Sequence, residues 1–191
     1  GIYSGMNYQD ASVYYRDNII AVNAYLAFGM SLGDVQSGVY DNVIYAKGNY
    51  TMGIASKVGF LMAYNNIINL TSSEKGNESM PELFGCESNG VKLIAGSAIL
   101  SNNTIETAGC GVKITGGEMA LGKNIINVVA NEDNDAYAIY ASDIPELAIT
   151  LNNVSYTGKT RGNGINNAVY VNNVTEAIIV ENIFNLSLVS A

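Results

Sequence analysis

The stretch Gly111-Val112-Lys113-Ile114-Thr115-Gly116-Gly117-Glu118-Met119-Ala120-Leu121-Gly122-Lys123-Asn124-Ile125-Ile126-Asn127-Val128-Val129 is one cycle of a pattern that recurs along the chain. Counted from Asn124, apolar residues stand twelve and ten positions before it (Val112, Ile114), five and three before (Met119, Leu121), and two and four after (Ile126, Val128). Each pair alternates with period two, the spacing of a strand with one buried face. Gly116-Gly117 and Lys123-Asn124, which separate the pairs, are turn formers. One cycle is therefore three short strands and three corners.

The same template falls on Asn18, Asn42, Asn66, Asn103, Asn124, Asn152 and Asn182, at spacings of 24, 24, 37, 21, 28 and 30 residues. Two positions after each Asn stand Ile20, Ile44, Ile68, Ile105, Ile126, Val154 and Phe184; four after stand Val22, Ala46, Leu70, Thr107, Val128, Tyr156 and Leu186. The position between is mostly polar, which makes an inward, outward, inward strand repeated in every cycle. The opening strand carries an inward column of Met6, Met30, Ile54, Val91 and Val112, continued one residue further out by Ile139 and Val169. A minimum period of 21 residues with every element extended suits a solenoid of strands, since other repeats of this length need a helix or a leucine signature. The expected fold is all-β: a right-handed, single-stranded parallel β-helix of about seven coils with three parallel sheets and a dry aliphatic interior. An Asn at each tight corner can take the left-handed conformation and also bond the Asn of the next coil. The seven Asn thus read as a structural Asn ladder.

Composition agrees with this reading. Hydrophobic residues make up 48% of the 191, but as alternating positions, and no run approaches the roughly 18 apolar residues of a membrane span. Net charge is −8 and no basic residues cluster, which argues against nucleic acid or an anionic membrane as partner. The chain shows no initiator Met, signal peptide or anchor. Residues 1–191 are expected to form a single β-helix domain, a segment of a longer protein. Its first and last coils have flanks too short to cap them, so a continuation, a partner or a second copy is expected over at least one end.

Residues 71–85 and 131–135, and the stretch 157–164, follow the third strand of their coils and should project from one edge. Glu132, Asp133 and Asp135 offer the hard oxygen ligands that calcium prefers, without a regular spacing; no other cofactor is indicated. Cys86 and Cys110 stand five and two residues before the first strands of successive coils, and this offset leaves a disulfide and a pair of small buried thiols both open.

Gly90-Val91-Lys92-Leu93 with Asn102-Asn103-Thr104-Ile105, and Gly111-Val112-Lys113-Ile114 with Asn124-Ile125-Ile126, resemble the repeats of the NosD-like, carbohydrate-binding and sugar-hydrolase parallel β-helix superfamily. The Asn- and Tyr-rich, acidic composition resembles the adhesin-like surface proteins of methanogenic archaea. The resemblance covers nearly the whole chain and implies a fold more than a function, because the motif consists of scaffold positions. It implies an extracellular, cell-surface location.

Enzymes of that superfamily place carboxylates on the outward face of the first strand. The corresponding column here is Asn7, Ser31, Ala55, Lys92, Lys113, Tyr140 and Tyr170, with no acid. The pairs Asp10 with Asp34, and Asp17 with Asp41, occupy matching positions in adjacent coils, where they could share a proton or a cation. Solvated corner acids are the plainer reading. Lys92 and Lys113, stacked on adjacent coils, read as solubility residues. Tyr40 with Tyr64, and Tyr140 with Tyr170, share outward positions in successive coils and are the candidate ligand-binding residues. The expected function is a non-catalytic adhesin-like module binding polysaccharide or a cell-surface protein, the rivals being a polysaccharide lyase or hydrolase fragment and a self-associating fibre module.

Overall fold

The computed structural model describes residues 1–4, 12–33, 36–57, 59–72, 88–130, 136–159 and 166–189. The chain is a parallel β-helix with three faces. The first face holds β1 (Ile2–Ser4), β4 (Leu26–Leu32), β7 (Tyr50–Ser56), β10 (Ser88–Ile94) and β13 (Cys110–Thr115). The second holds β2 (Ser12–Arg16), β5 (Gln36–Tyr40), β8 (Gly59–Tyr64), β11 (Gly96–Ser101) and β14 (Met119–Gly122). The third holds β3 (Ile19–Asn23), β6 (Val43–Gly48), β9 (Ile67–Ser72), β12 (Thr104–Thr107), β15 (Ile125–Val129), β17 (Asn153–Lys159) and β19 (Ile183–Val189). Two long strands, β16 (Ala136–Thr150) and β18 (Asn166–Val180), run through the first corner and serve the first two faces. Those faces are consequently joined through β16 into one hydrogen-bonded sheet of 12 strands, and the third face is a separate sheet of 7.

Every strand pairs in parallel with its counterpart in the next coil, in the register that the Asn column sets. On the third face Ile20, Ile44, Ile68, Ile105, Ile126, Val154 and Phe184 stack in one inward line. On the first face Met30, Ile54, Val91, Val112, Ile139 and Val169 do the same. The second face supplies Val39, Ala63, Leu100, Leu121, Ile149 and Ile179. These columns form one continuous core, and each fully buried aliphatic side chain in it contributes about 1.5 to 3 kcal/mol. The first coil departs from expectation: Ile2, not Met6, pairs with Met30, and Tyr3 takes the outward place expected for Asn7. Met6 and Asn7 lie outside the described residues.

The ladder is complete from Asn18 to Asn182. At each of its six steps the backbone N–H and the side-chain Nδ2 of one Asn both donate to Oδ1 of the next, at 2.9 to 3.1 Å. Nδ2 also donates to a second-face carbonyl of the preceding coil, as Asn124 does to Leu100 and Asn103 to Ala63. Asn42, Asn66, Asn103, Asn124 and Asn152 are buried, so this bonding satisfies polar groups that water does not reach. The left-handed conformation, however, belongs to the residue before each Asn. Asp17, Asp41, Asn65, Asn102, Lys123, Leu151 and Glu181 all have φ between 55° and 60°. The corner needs one left-handed residue, and placing it ahead of the Asn leaves the Asn backbone free to keep its N–H aimed along the ladder.

A second column explains the glycine that opens each motif. Gly29, Gly53, Gly90 and Gly111 point inward against Ile44, Ile68, Ile105 and Ile126 of the third face, and a Cβ on any of them would collide with that isoleucine and with the next coil's backbone carbonyl. The column ends in Ala138, in the coil where Val154 replaces the isoleucine. Gly90→Ala is therefore expected to cost about 1 to 3 kcal/mol, because backbone would have to give way. Gly122→Ala, whose Cβ would meet nothing closer than 3.7 Å, should be neutral or slightly stabilising. Denaturant titration of the two variants checks this, and equal losses would contradict the inward placement of the glycine column.

Candidate functional site

The second face presents three outward rows. Six residues before each ladder Asn stand Ser12, Gln36, Phe60, Ser97, Glu118, Glu146 and Glu176; four before stand Tyr14, Gly38, Met62, Ile99, Ala120, Ala148 and Ile178; two before stand Arg16, Tyr40, Tyr64, Ser101, Gly122, Thr150 and Val180. Between the first two rows runs a shallow trough of about 250 Å³. Its floor is Ile99, Ala120 and Ala148, with Phe60 and Ile178 towards its ends and Glu118, Glu146 and Glu176 along one side. All three glutamates are exposed, and among the described residues no Lys or Arg lines the trough. A carboxylate on each of three successive coils beside an apolar floor can accept hydrogen bonds from hydroxyl or ammonium groups of a ligand lying along the coil axis. Among the described residues no group of His, Cys, Asp or Glu is placed to hold a metal ion.

The trough was legible in principle. Six positions before Asn124, Asn152 and Asn182 the chain shows Glu each time, but these acids stand in the second strand's outward column and not in the first strand's.

Tyr40 and Tyr64 are in register on the second face, with ring centroids 5.6 Å apart and planes at 8°. Tyr14 stacks on Tyr40 at 6.1 Å, and the Arg16 guanidinium lies 4.9 Å from the Tyr40 ring centre. Gly38 makes room for this group, since a Cβ there would meet both Tyr40 and Tyr14, and the Tyr40 hydroxyl reaches Met62 Sδ at 3.8 Å. Burial pushes the Tyr40 phenol pKa up; Tyr14 and Tyr64 add to this and Arg16 opposes it. The rings turn their faces to one another and to Arg16, so the row offers a ligand edges and hydroxyls rather than open ring faces.

Tyr140 and Tyr170 are stacked at 4.9 Å and 14°, on the first face. Lys113 Nζ lies 4.8 Å from the Tyr140 ring centre, and Tyr137 meets Tyr140 edge-on. The two tyrosine pairs therefore belong to different faces and do not form one site.

Lys92 stands between Ala55 and Lys113 in the first face's outward column, yet only 7% of it is exposed. It is not the solubility residue its position suggested. Burial, and then the charge of Lys113, lower its pKa to about 8. An unfolded lysine keeps its proton to about pH 10.4, so between these values the unfolded chain binds more protons and stability rises with pH. Relative to Lys92→Met, the native chain should gain stability from pH 7 to pH 10 in denaturant titrations; a constant difference would refute the burial of this ammonium.

The expected acid pairs divide. Asp17 and Asp41 are exposed corner residues in the left-handed conformation, and Asp41 accepts a hydrogen bond from Asn65 Nδ2 at 3.0 Å. Asn102 extends this outer row by donating to Asn65 Oδ1 at 2.8 Å, beside the main ladder. Asp10 and Asp34 lie outside the described residues, as do Glu132, Asp133 and Asp135. Cys110 is disulfide-bonded and fully buried, which removes the free-thiol alternative; Cys86, the other cysteine of the chain, lies outside the described residues. Compared with family models, curated proteins and solved structures, the chain matches none, and the assignment to the parallel β-helix fold rests on the geometry above.

Proposed function

We propose that this chain is a non-catalytic, surface-exposed module of adhesin-like type that binds an extended glycan along its second face. The observation that carries the reading is the trough: an apolar strip crossing several coils, edged on one side by regularly repeated carboxylates and bounded by Phe60 and Ile178. Sugar chains are recognised by such combinations of apolar surface and hydrogen-bonding groups. The disulfide at Cys110 suits an oxidising exterior, and the resemblance to NosD-like and archaeal adhesin-like repeats points the same way. Asn153 and Asn185, both in Asn-x-Ser sequons, are exposed on the third face, as glycosylation of a secreted chain would require.

A screen against plant, microbial and host polysaccharides, scored for retention and for newly released chain ends, tests the proposal. Retention without cleavage is expected. Cleavage would transfer the reading to a carbohydrate-active enzyme, with Asp17 and Asp41 the first residues to replace. Binding to protein ligands but to no polysaccharide would sink the glycan reading.

A further inference from the structure

We infer that the second-face trough takes a linear polysaccharide carrying free amines, laid along the coil axis with about one sugar unit per coil. The inference rests on the glycan-binding reading and narrows it to a class of chain. Three features carry it.

The floor is apolar and open. Ile99, Ala120 and Ala148 occupy the same outward position in successive coils and are half-buried, and the two small alanines between Ile99 and Ile178 leave a hollow in which the face of a sugar ring can rest.

The repeat matches a sugar chain better than a peptide. Neighbouring coils are about 4.8 Å apart, so two coils span nearly the two-unit repeat after which an extended β-1,4-linked chain, whose successive units are turned over, shows the same edge again. An extended peptide repeats side chains on one face only every two residues, about 6.6 Å, and falls out of step with the coils within two repeats.

The charge selects the substituent. Glu146 pairs in register with Glu176, and Glu118 precedes Met119, which pairs with Leu147, so the three carboxylates form one row. Like charges on adjacent strands oppose the pairing, and among the described residues that line the trough there is no Lys or Arg to offset them. Ammonium groups spaced along a ligand would neutralise the row through charge-assisted hydrogen bonds. A polyuronate or sulfated chain would be repelled by the row and by the net charge of −8.

The test uses the full chain with four probes: chitosan oligomers, their fully N-acetylated counterparts, polygalacturonate and polylysine. Calorimetry should show chitosan binding that weakens on adding salt, weaker binding of the acetylated oligomers, and none of polygalacturonate. Replacing all three acids (Glu118→Gln, Glu146→Gln, Glu176→Gln) should reduce chitosan affinity about tenfold and leave the acetylated oligomers unaffected. Ala148→Arg, which fills the floor, should abolish binding of both. All four positions face outward, and unchanged thermal unfolding verifies that the variants keep the fold. Equal affinity for both oligomers, with no loss in the triple variant, would overturn the amine assignment and leave glycan binding standing. Polylysine binding as tightly as chitosan would overturn the sugar register. Failure of every sugar probe would remove the glycan reading itself.

Discussion

The Ile126→Asp chain is expected to lose on the order of several kcal/mol of stability, enough to leave a domain of ordinary stability largely unfolded. Ile126 is fully buried, stacked between Ile105 and Val154, and its Cγ2 fills the space that Gly111 leaves open. A carboxylate there has no cation to meet and must either be buried charged or take up a proton. Ile125→Asp, one residue earlier, is the matched control: Ile125 is an exposed outward residue in the same strand, so its replacement should be close to neutral. Circular dichroism during chemical denaturation reads both. Similar losses at the two positions would mean that inside and outside have been assigned wrongly, because a shift of one residue exchanges the faces of a strand.

Asn124→Ala should cost at least about 3 kcal/mol, more than an average hydrogen-bond deletion. The amide accepts from the backbone N–H and Nδ2 of Asn103 and donates to Leu100 O and Asn152 Oδ1. Alanine ends all four bonds and strands polar groups of Asn103 and Leu100 in the interior, where an unmet donor or acceptor costs about 1 to 3 kcal/mol each. Asn127→Ala, at an outward position between Glu106 and Ser155, should change stability by less than about 0.5 kcal/mol. Comparable losses at Asn124 and Asn127 would contradict the ladder as the source of this stability.

The columns from the second coil onward are readable in the chain because a buried stack demands the same kind of residue at the same distance from Asn in every coil. The first coil misleads for a definite reason. Ile2 and Met6 are four residues apart, an even number, so both satisfy the period-two alternation, and only the pairing with Met30 separates them. The left-handed corner residue also hides, since Asp17, Asp41, Asn65, Asn102, Lys123, Leu151 and Glu181 share no side-chain type. Only Asn and Asp among them favour that conformation; for lysine, leucine and glutamate the ladder bonds on either side impose it, against a cost of about 1 to 2 kcal/mol. The stacking of Tyr40 on Tyr64 follows from register, but the covering of their faces by Tyr14 and Arg16 does not, because it depends on the empty space over Gly38. The burial of Lys92 likewise has no signature in the alternation, which records whether a residue points outward and not what lies over it.

All six steps of the Asn ladder run in one sense, and the molecule is therefore a polar rod. Its Asn18 end terminates in a side-chain carbonyl oxygen and its Asn182 end in a backbone N–H, so the two ends are chemically unlike. A coil laid against Asn18 continues the ladder only by bringing donors; one laid against Asn182 does so only by bringing an acceptor. Two such rods can prolong each other's ladder head to tail, whereas a two-fold contact between like ends sets donor against donor or acceptor against acceptor. The same constraint governs growth by duplication. A copied coil inserted anywhere in the stack inherits the right sense automatically, since parallel strands wound one way always present their amides in the same order.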